Sequence, residues 1–196
     1  MRYFIVFGPP GAGKGTQSYL IAERFNFLHI STGEMLRAQI KLGSEVGKEA
    51  KELIDKGKFV SDNTILKMVR EHLTTNYKRT KAFVFDGFPR TLNQAAEFDK
   101  ILLEMEAEAK VVVISLEVDD ALVVERIKKR GEIEGRRDDA YESVVKTRIK
   151  TYHNKTEPLI EYYKRKGVYY PIAGEGSVEE VFESISKLID RLDRDE

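Results

Sequence analysis

Cysteine and tryptophan are absent from this sequence. Without cysteine there is no disulfide framework, no thiolate-held metal and no thiol nucleophile. An excess of charge of either sign is missing too, because 33 Lys plus Arg face 33 Asp plus Glu. That balance excludes the whole-protein basic field that nucleic acid or an anionic membrane surface would select. Long hydrophobic runs are also lacking: Phe4 to Phe7 and Val111 to Ile114 are strand-length, far short of the ~20 residues of a membrane-spanning helix. At 41% hydrophobic and 34% charged, the chain is too apolar for disorder and too charged for the bilayer. Met1 to Pro10 carries no small-residue cleavage site, so no signal peptide is expected. The 196 residues suit one substantial domain, 1–196, in a soluble and cytoplasmic protein with neither nucleic acid nor membrane as partner.

What is present is alternation. Tyr3–Phe7, Leu28–Ile30, Ala82–Phe85, Val111–Leu116 and Val168–Ala173 read as strands, continuous in apolar character rather than alternating. Such runs suit strands buried on both faces of a parallel sheet. Helical patterns fill the gaps. Val178, Val181, Phe182, Ile185, Leu188, Ile189 and Leu192 follow helical spacing behind the capping box Ser177-Val178-Glu179-Glu180. A second stripe runs through Tyr141, Val144, Val145, Ile149, Tyr152 and Thr156. The fold class is therefore α/β, a doubly wound parallel sheet of five strands. Two segments exceed a minimal crossover. Residues 31–60, punctuated by Gly43, Gly47 and Gly57, read as a small helical insert. Gly131 to Asp139, within 130–140, reads as a short polar turn between helices, with Gly131 and Gly135 free to absorb backbone change.

Gly8-Pro9-Pro10-Gly11-Ala12-Gly13-Lys14-Gly15-Thr16 follows the first strand and opens a helix, the setting of a phosphate-cradling loop. Glycines allow positive φ, so successive N–H groups of Gly11, Ala12, Gly13 and Gly15 can converge on phosphate oxygens. The helix N-terminus adds partial positive charge. Lys14 supplies a full charge toward the β- and γ-phosphates, and Thr16 a hydroxyl near Mg²⁺. The general pattern places Ser or Thr directly after the Lys, whereas here Gly15 intervenes. The loop specifies a nucleotide site and is silent on the reaction.

Other residues carry chemistry of their own. Phe83-Val84-Phe85-Asp86 is a buried strand ending in a carboxylate, placed to hold Mg²⁺ through water, to orient the loop, or simply to cap a helix. Arg90, after the turn Gly87-Phe88-Pro89, presents a guanidinium at the carboxyl edge of the sheet, where ligands of open α/β sheets bind. Arg126 and Arg130 stand one helical turn apart and repel unless an anion lies between them. Nine basic and five acidic residues fall between Arg126 and Lys150. Arg148 interrupts the second apolar stripe and needs an anionic partner, either a bound phosphate or one of Asp138, Asp139 and Glu142.

Taken with Ser31-Thr32-Gly33-Glu34-Met35-Leu36-Arg37, Asp86-Gly87-Phe88-Pro89-Arg90-Thr91-Leu92-Asn93-Gln94, and Arg126 to Asp139 followed by Arg148, the loop GPPGAGKGT resembles that of the nucleoside monophosphate kinases, and within them the adenylate kinase family. The resemblance spans the chain from the first strand to Gly174-Glu175-Gly176-Ser177. It implies a P-loop fold with a helical monophosphate-binding insert and a short lid, acting on ATP, AMP and ADP with Mg²⁺ as a monomer. It implies further that Arg37 joins Arg90 on the acceptor phosphate, that Thr32 and Gln94 address its base, and that Gly33, Lys58, Phe59 and Val60 belong to the AMP pocket. Gly176 falls to ATP, and Arg126, Arg130, Arg136 and Arg148 to the transferring group. The interval from Asp138-Asp139 to Arg148 is one residue longer than in relatives. Arg136, which keeps an Arg-x-Asp-Asp arrangement, is favoured over Arg137 as the lid arginine. Some relatives hold metal in a longer lid. Here zinc is not expected, since cysteine is absent and His29, His72 and His153 lie outside the lid. The rival readings are a UMP/CMP kinase of the same fold, a P-loop kinase of a small metabolite, and a nucleotide sensor.

Overall fold

In a computed structural model, residues 1–194 are described, apart from the side chain of Arg137. Five strands form one parallel sheet: β1 (Arg2–Phe7), β2 (Leu28–Ser31), β3 (Ala82–Asp86), β4 (Lys110–Glu117) and β5 (Tyr169–Ala173), in the order β2-β3-β1-β4-β5. Each expected strand is present, with ends displaced by a residue. Val168 falls just outside β5, though its carbonyl still accepts from Val113 N–H at 2.8 Å.

The continuous apolar runs have a simple cause. Tyr3, Ile5 and Phe7 of β1 point into one core layer and Phe4 and Val6 into another, so no position is left for a polar residue. The second layer is closed by α1 (Lys14–Phe25) and α10 (Val178–Arg194), which supplies Val181, Ile185, Leu188 and Ile189. The capping box at its start is formed in both directions: Ser177 N–H donates to Glu180 Oε2 at 2.8 Å, and Glu180 N–H to Ser177 Oγ at 3.2 Å. Val178 begins the helix and remains 45% exposed, so it is not part of the buried stripe.

The first layer is aromatic, and it positions the site. Phe98 of α5 (Leu92–Met105) meets Phe85 and Phe88 edge-on, each at 5.1 Å between ring centroids. Phe88 belongs to the turn after β3, so burying its ring fixes the turn that carries Arg90. Truncating such a ring costs about 3–5 kcal/mol.

The helical insert consists of α2 (Thr32–Leu42) and α3 (Glu45–Ile54), followed by a segment to Val60. Ser31 and Ser44 cap the two helices. Gly47 is required where they cross, since a Cβ there would sit 2.1 Å from the Gln39 carbonyl oxygen. Next comes α4 (Asp62–Asn76), which returns to the sheet and buries Ile65, Val69 and Leu73 in the main core.

The lid departs from expectation. Gly131 to Asp139 is not a turn: α6 (Asp120–Glu134) runs on through Gly131, and α7 (Arg137–Ala140) resumes after Gly135 and Arg136. Gly131 lies inside a helix, where a Cβ would stand 3.0 Å from Asp139 Cβ. It is a close-approach glycine rather than a hinge. Gly135, with φ 62, ends α6. Tyr141 is also misplaced by its periodicity. It separates α7 from α8 (Glu142–Thr151) in extended backbone and is 66% exposed, while Val145, Tyr152 and Thr156 of the same stripe are buried. A π-helical turn, Tyr152–Thr156, leads toward α9 (Leu159–Arg165).

Candidate active site

A cleft of about 1260 Å³ opens at the carboxyl ends of β1 and β3, between the insert and the lid. The phosphate loop forms its floor. Gly8, Gly11 and Gly13 all adopt positive φ, and a Cβ on Gly8 would lie 2.7 Å from the Leu116 carbonyl oxygen. The loop feeds α1, whose first turn has neither a side-chain cap nor an acidic residue. Its leading N–H groups and positive dipole end are thus left for an anion. Lys14 donates to the Pro9 carbonyl at 2.7 Å. Burial, reinforced by Arg90, Arg130 and Arg148, lowers its pKa to about 7 against the pull of Asp86. The group is short of an anion, which a polyphosphate would supply.

The insert side of the cleft is built on the buried turn. Arg90 donates through Nε to the Gly87 carbonyl at 2.7 Å, and its guanidinium lies over the Phe59 ring at 5.3 Å. Its terminal nitrogens have no hydrogen-bond partner among the described residues, and burial lowers its pKa. Arg37 likewise makes no hydrogen bond or ion pair among them. Its pKa is lowered by burial and then by Arg136. Thr32 Oγ1 donates to the Gly87 carbonyl at 2.9 Å, so its hydroxyl proton is engaged within the protein. Gln94 lines the cleft while only 2% exposed.

On the lid side the arginines gather around two aspartates. Asp139, its side chain wholly buried, accepts Arg130 through two bonds, at 2.7 and 3.0 Å, and also pairs with Arg148. Arg148 bonds Asp138 Oδ2 at 2.7 Å. The ion-pair reading of Arg148 is therefore the one the structure shows, and Arg148 also lines the cleft. These contacts are made across Tyr141, so the longer interval does not separate the partners. Arg126 donates to the Gly174 carbonyl at 2.8 Å, and Arg136 pairs with Glu134 at 2.5 Å. Arg126 and Arg130 thus need no anion between them, each having its own partner. Arg136 lines the cleft; the side chain of Arg137 lies outside the described residues.

Comparison with known proteins matches this geometry. A family profile described as Adenylate kinase fits residues 6–168. The adenylate kinase of Flavobacterium psychrophilum is 41% identical over 98% of this chain and 100% of its own length. That of Phocaeicola vulgatus is 42% identical with the same coverage, and that of a Synechococcus strain 40% identical over 93% of this chain and 95% of its own. The chain belongs to the adenylate kinase family.

Of the residues that the adenylate kinase resemblance nominates, Gly11, Gly13, Lys14, Gly15, Thr16, Thr32, Gly33, Arg37, Lys58, Phe59, Val60, Asp86, Gly87, Phe88, Pro89, Arg90, Gln94, Arg126, Arg130, Arg136 and Arg148 line the cleft. Two do not. Ala12 is buried in the core and its N–H donates to the Pro9 carbonyl, so it faces inward. Gly176 stands against Glu180 of the α10 capping box, and Val178 is the cleft residue of that segment. Tyr152 and Thr156 were not foreseen in the cleft; Thr156 Oγ1 holds the Arg90 carbonyl at 2.8 Å.

The donor set fits Mg²⁺. Thr16 offers a hydroxyl, and Asp86, whose Oδ2 accepts from Ser31 Oγ at 3.2 Å, a carboxylate facing Gly15. Asp86 caps no helix, because the N-cap of α5 is Thr91. No cluster of three or more His, Cys, Asp or Glu side chains suited to a metal occurs among the described residues. A hard ion here would take few protein oxygens and rely on phosphate and water, as Mg²⁺ does.

Proposed function

We propose that this chain transfers the γ-phosphoryl group of ATP reversibly to AMP, giving two ADP, in the presence of Mg²⁺. One observation carries the reading: a single cleft has two anion-ready poles, the open start of α1 with Lys14 and the nitrogens of Arg37 and Arg90 that have no partner among the described residues. A hydrolase or sensor needs only the first. The family match disfavours a UMP/CMP kinase.

Little covalent chemistry is demanded of the protein, since the acceptor phosphate is already an anion and needs no general base. Lys14 and the loop amides hold the donor phosphates, while Arg37 and Arg90 aim the acceptor oxygen along the line of transfer. Arg126, Arg130, Arg136 and Arg148 spread the charge of the transferring group. Thr16 and Asp86 would hold Mg²⁺, which would supply charge neutralisation to the donor phosphates. Thr32 and Gln94 read the acceptor base above Lys58, Phe59 and Val60. Closure of the insert and the lid excludes water, which would otherwise take the phosphoryl group. The nucleotides are the partners of a cytoplasmic monomer organised as one domain with an insert at 31–60 and a lid at 130–140. No helix among the described residues is long and apolar enough to cross a membrane.

The test is calorimetric titration with ATP, with AMP and with a bisubstrate mimic joining two adenosines through a polyphosphate. Two sites for single nucleotides and one tighter site for the mimic are expected. One nucleotide site, or a mimic no tighter than ATP, would overturn the kinase reading.

A further inference from the structure

Asp62 takes no part in phosphate binding, yet its carboxylate gathers three side-chain donors. Oδ2 accepts from Thr91 Oγ1 and from Asn93 Nδ2, both at 3.0 Å. Oδ1 accepts from Gln94 Nε2 at 2.8 Å. The same Gln94 amide accepts the Arg90 backbone N–H through Oε1, also at 2.8 Å. One amide is therefore pinned at both of its polar atoms, at a position that lines the cleft.

The two neighbours impose a single orientation on it. A carboxylate only accepts and a backbone N–H only donates, so the nitrogen must face Asp62 and the oxygen Arg90. A flipped amide would set oxygen against carboxylate and NH₂ against N–H. In the observed orientation one N–H and one lone pair remain without a partner among the described residues. A purine with an amino group at C6 offers the complement, an amino donor beside the N1 acceptor. A 6-oxo purine offers the reverse, an O6 acceptor beside the N1–H donor. An amide free to turn serves either edge, and one held on both sides serves only the first.

We propose that Asp62 is a specificity-positioning residue: by fixing the polarity of the Gln94 amide, it makes the acceptor pocket select 6-amino over 6-oxo purine monophosphates. The proposal rests on the reading of Gln94 as a base contact. A mismatched edge sets donor against donor inside a buried pocket, the kind of penalty that yields strong discrimination. The bonds to Thr91 and Asn93 also clamp the start of α4 to the start of α5, and the experiment must separate that role from the polarity lock.

Initial rates with saturating ATP and varied AMP or IMP provide the separation, for the unmodified protein and for Asp62→Ala, Asp62→Asn, Asn93→Ala and Gln94→Ala. In Asp62→Ala the AMP-to-IMP ratio of kcat/KM should narrow about tenfold, mainly through KM for AMP, with kcat on AMP and KM for ATP held within about threefold. Asp62→Asn preserves volume, so it covers the case in which the alanine variant folds poorly. It should narrow the ratio a few-fold, because an asparagine can itself turn. Asn93→Ala removes one clamping bond but leaves the Gln94 bond, and its ratio should stay unchanged. If both Asp62 variants keep the ratio while Gln94→Ala loses it, the lock is wrong and the base contact stands. If Gln94→Ala keeps the ratio, the base contact and the proposal fall together. Equal narrowing in Asn93→Ala and Asp62→Ala would replace the polarity lock with simple clamping.

Discussion

On the lid side of the cleft every arginine described has a protein partner: Arg126 the Gly174 carbonyl, Arg130 and Arg148 the buried Asp139, Arg136 the neighbouring Glu134. On the insert side Arg37 has none among the described residues, and Arg90 commits only its Nε. On the lid side the two aspartates keep the guanidiniums gathered and balanced. Under the proposed function, a phosphate there would take over from a carboxylate, and the gain would be the difference between two favourable pairings. The acceptor side is preorganised in the opposite sense. Arg37 repels Arg90 and Arg90 repels Lys14, and under the proposed function an anionic ligand would relieve that repulsion. Charge stabilisation of the transferring group should thus depend most sharply on Lys14, Arg37 and Arg90, which pair with no carboxylate among the described residues.

The largest effect that follows is on turnover. Arg90→Ala and Lys14→Met should each lose on the order of 3 kcal/mol or more of transition-state stabilisation, a rate loss above a hundredfold. Their folds should stay intact, because neither side chain balances a carboxylate through an ion pair among the described residues. Steady-state rates alongside thermal melting check both halves. Near-normal turnover in either variant would remove the basis of the comparison.

The second effect is on stability, and it belongs to the lid. Asp139→Ala leaves Arg130 and Arg148 without their shared, fully buried partner. Breaking such a pair from one side costs about 3 kcal/mol, discounted here because both arginines are partly exposed. For a chain of this size about 2 kcal/mol corresponds to a melting temperature lower by about 4–8 °C. A non-hydrolysable ATP analogue should then raise the melting temperature of the variant more than that of the unmodified protein, because phosphate supplies the missing anion. Equal shifts would show that the lid arginines do not exchange partners.

These partners also mark the limit of what the sequence discloses. β1 is legible because burial on both faces forces an unbroken apolar run from Tyr3 to Phe7, and the phosphate loop because its glycines are set by local backbone demands. The lid is misread for the converse reason. Glycine and charge between Gly131 and Asp139 look like a solvated turn, but that segment is mostly helical and held by ion pairs nine residues apart, from Arg130 to Asp139 and from Asp139 to Arg148. No local periodicity encodes such pairs. Tyr141 fits a helical stripe by count and still falls at a helix break. Asp62 is likewise invisible in sequence, since its bond to Gln94 spans 32 positions.

The smallest effect concerns how the lid helix is tethered at its base. His153, in the π-helical turn, faces Glu157 Oε2 at 2.8 Å and Asp120 Oδ2, in the first turn of α6, at 3.0 Å, with the Tyr152 ring beside it. The hydrogen bond that His153 donates to Glu157, with the further bond to Asp120, raises the histidine pKa above its ordinary 6.5 in spite of partial burial. A pKa raised by folding means that the folded chain holds the proton more tightly. The contribution is then complete below the unfolded pKa near 6.5 and disappears as pH climbs through the raised folded value. Because the imidazole is 38% exposed, solvent screens the pair and the effect should be no more than a few tenths of a kcal/mol. Melting curves of the unmodified protein and of His153→Gln, recorded at low salt from pH 6 to 9, should differ most at the acid end and converge with rising pH. Added salt should shrink the difference, whereas the loss caused by Asp139→Ala should persist, since its carboxylate is buried and that of Asp120 is not. If salt erased both losses alike, the lid's internal pairs would be no better shielded than its surface tether.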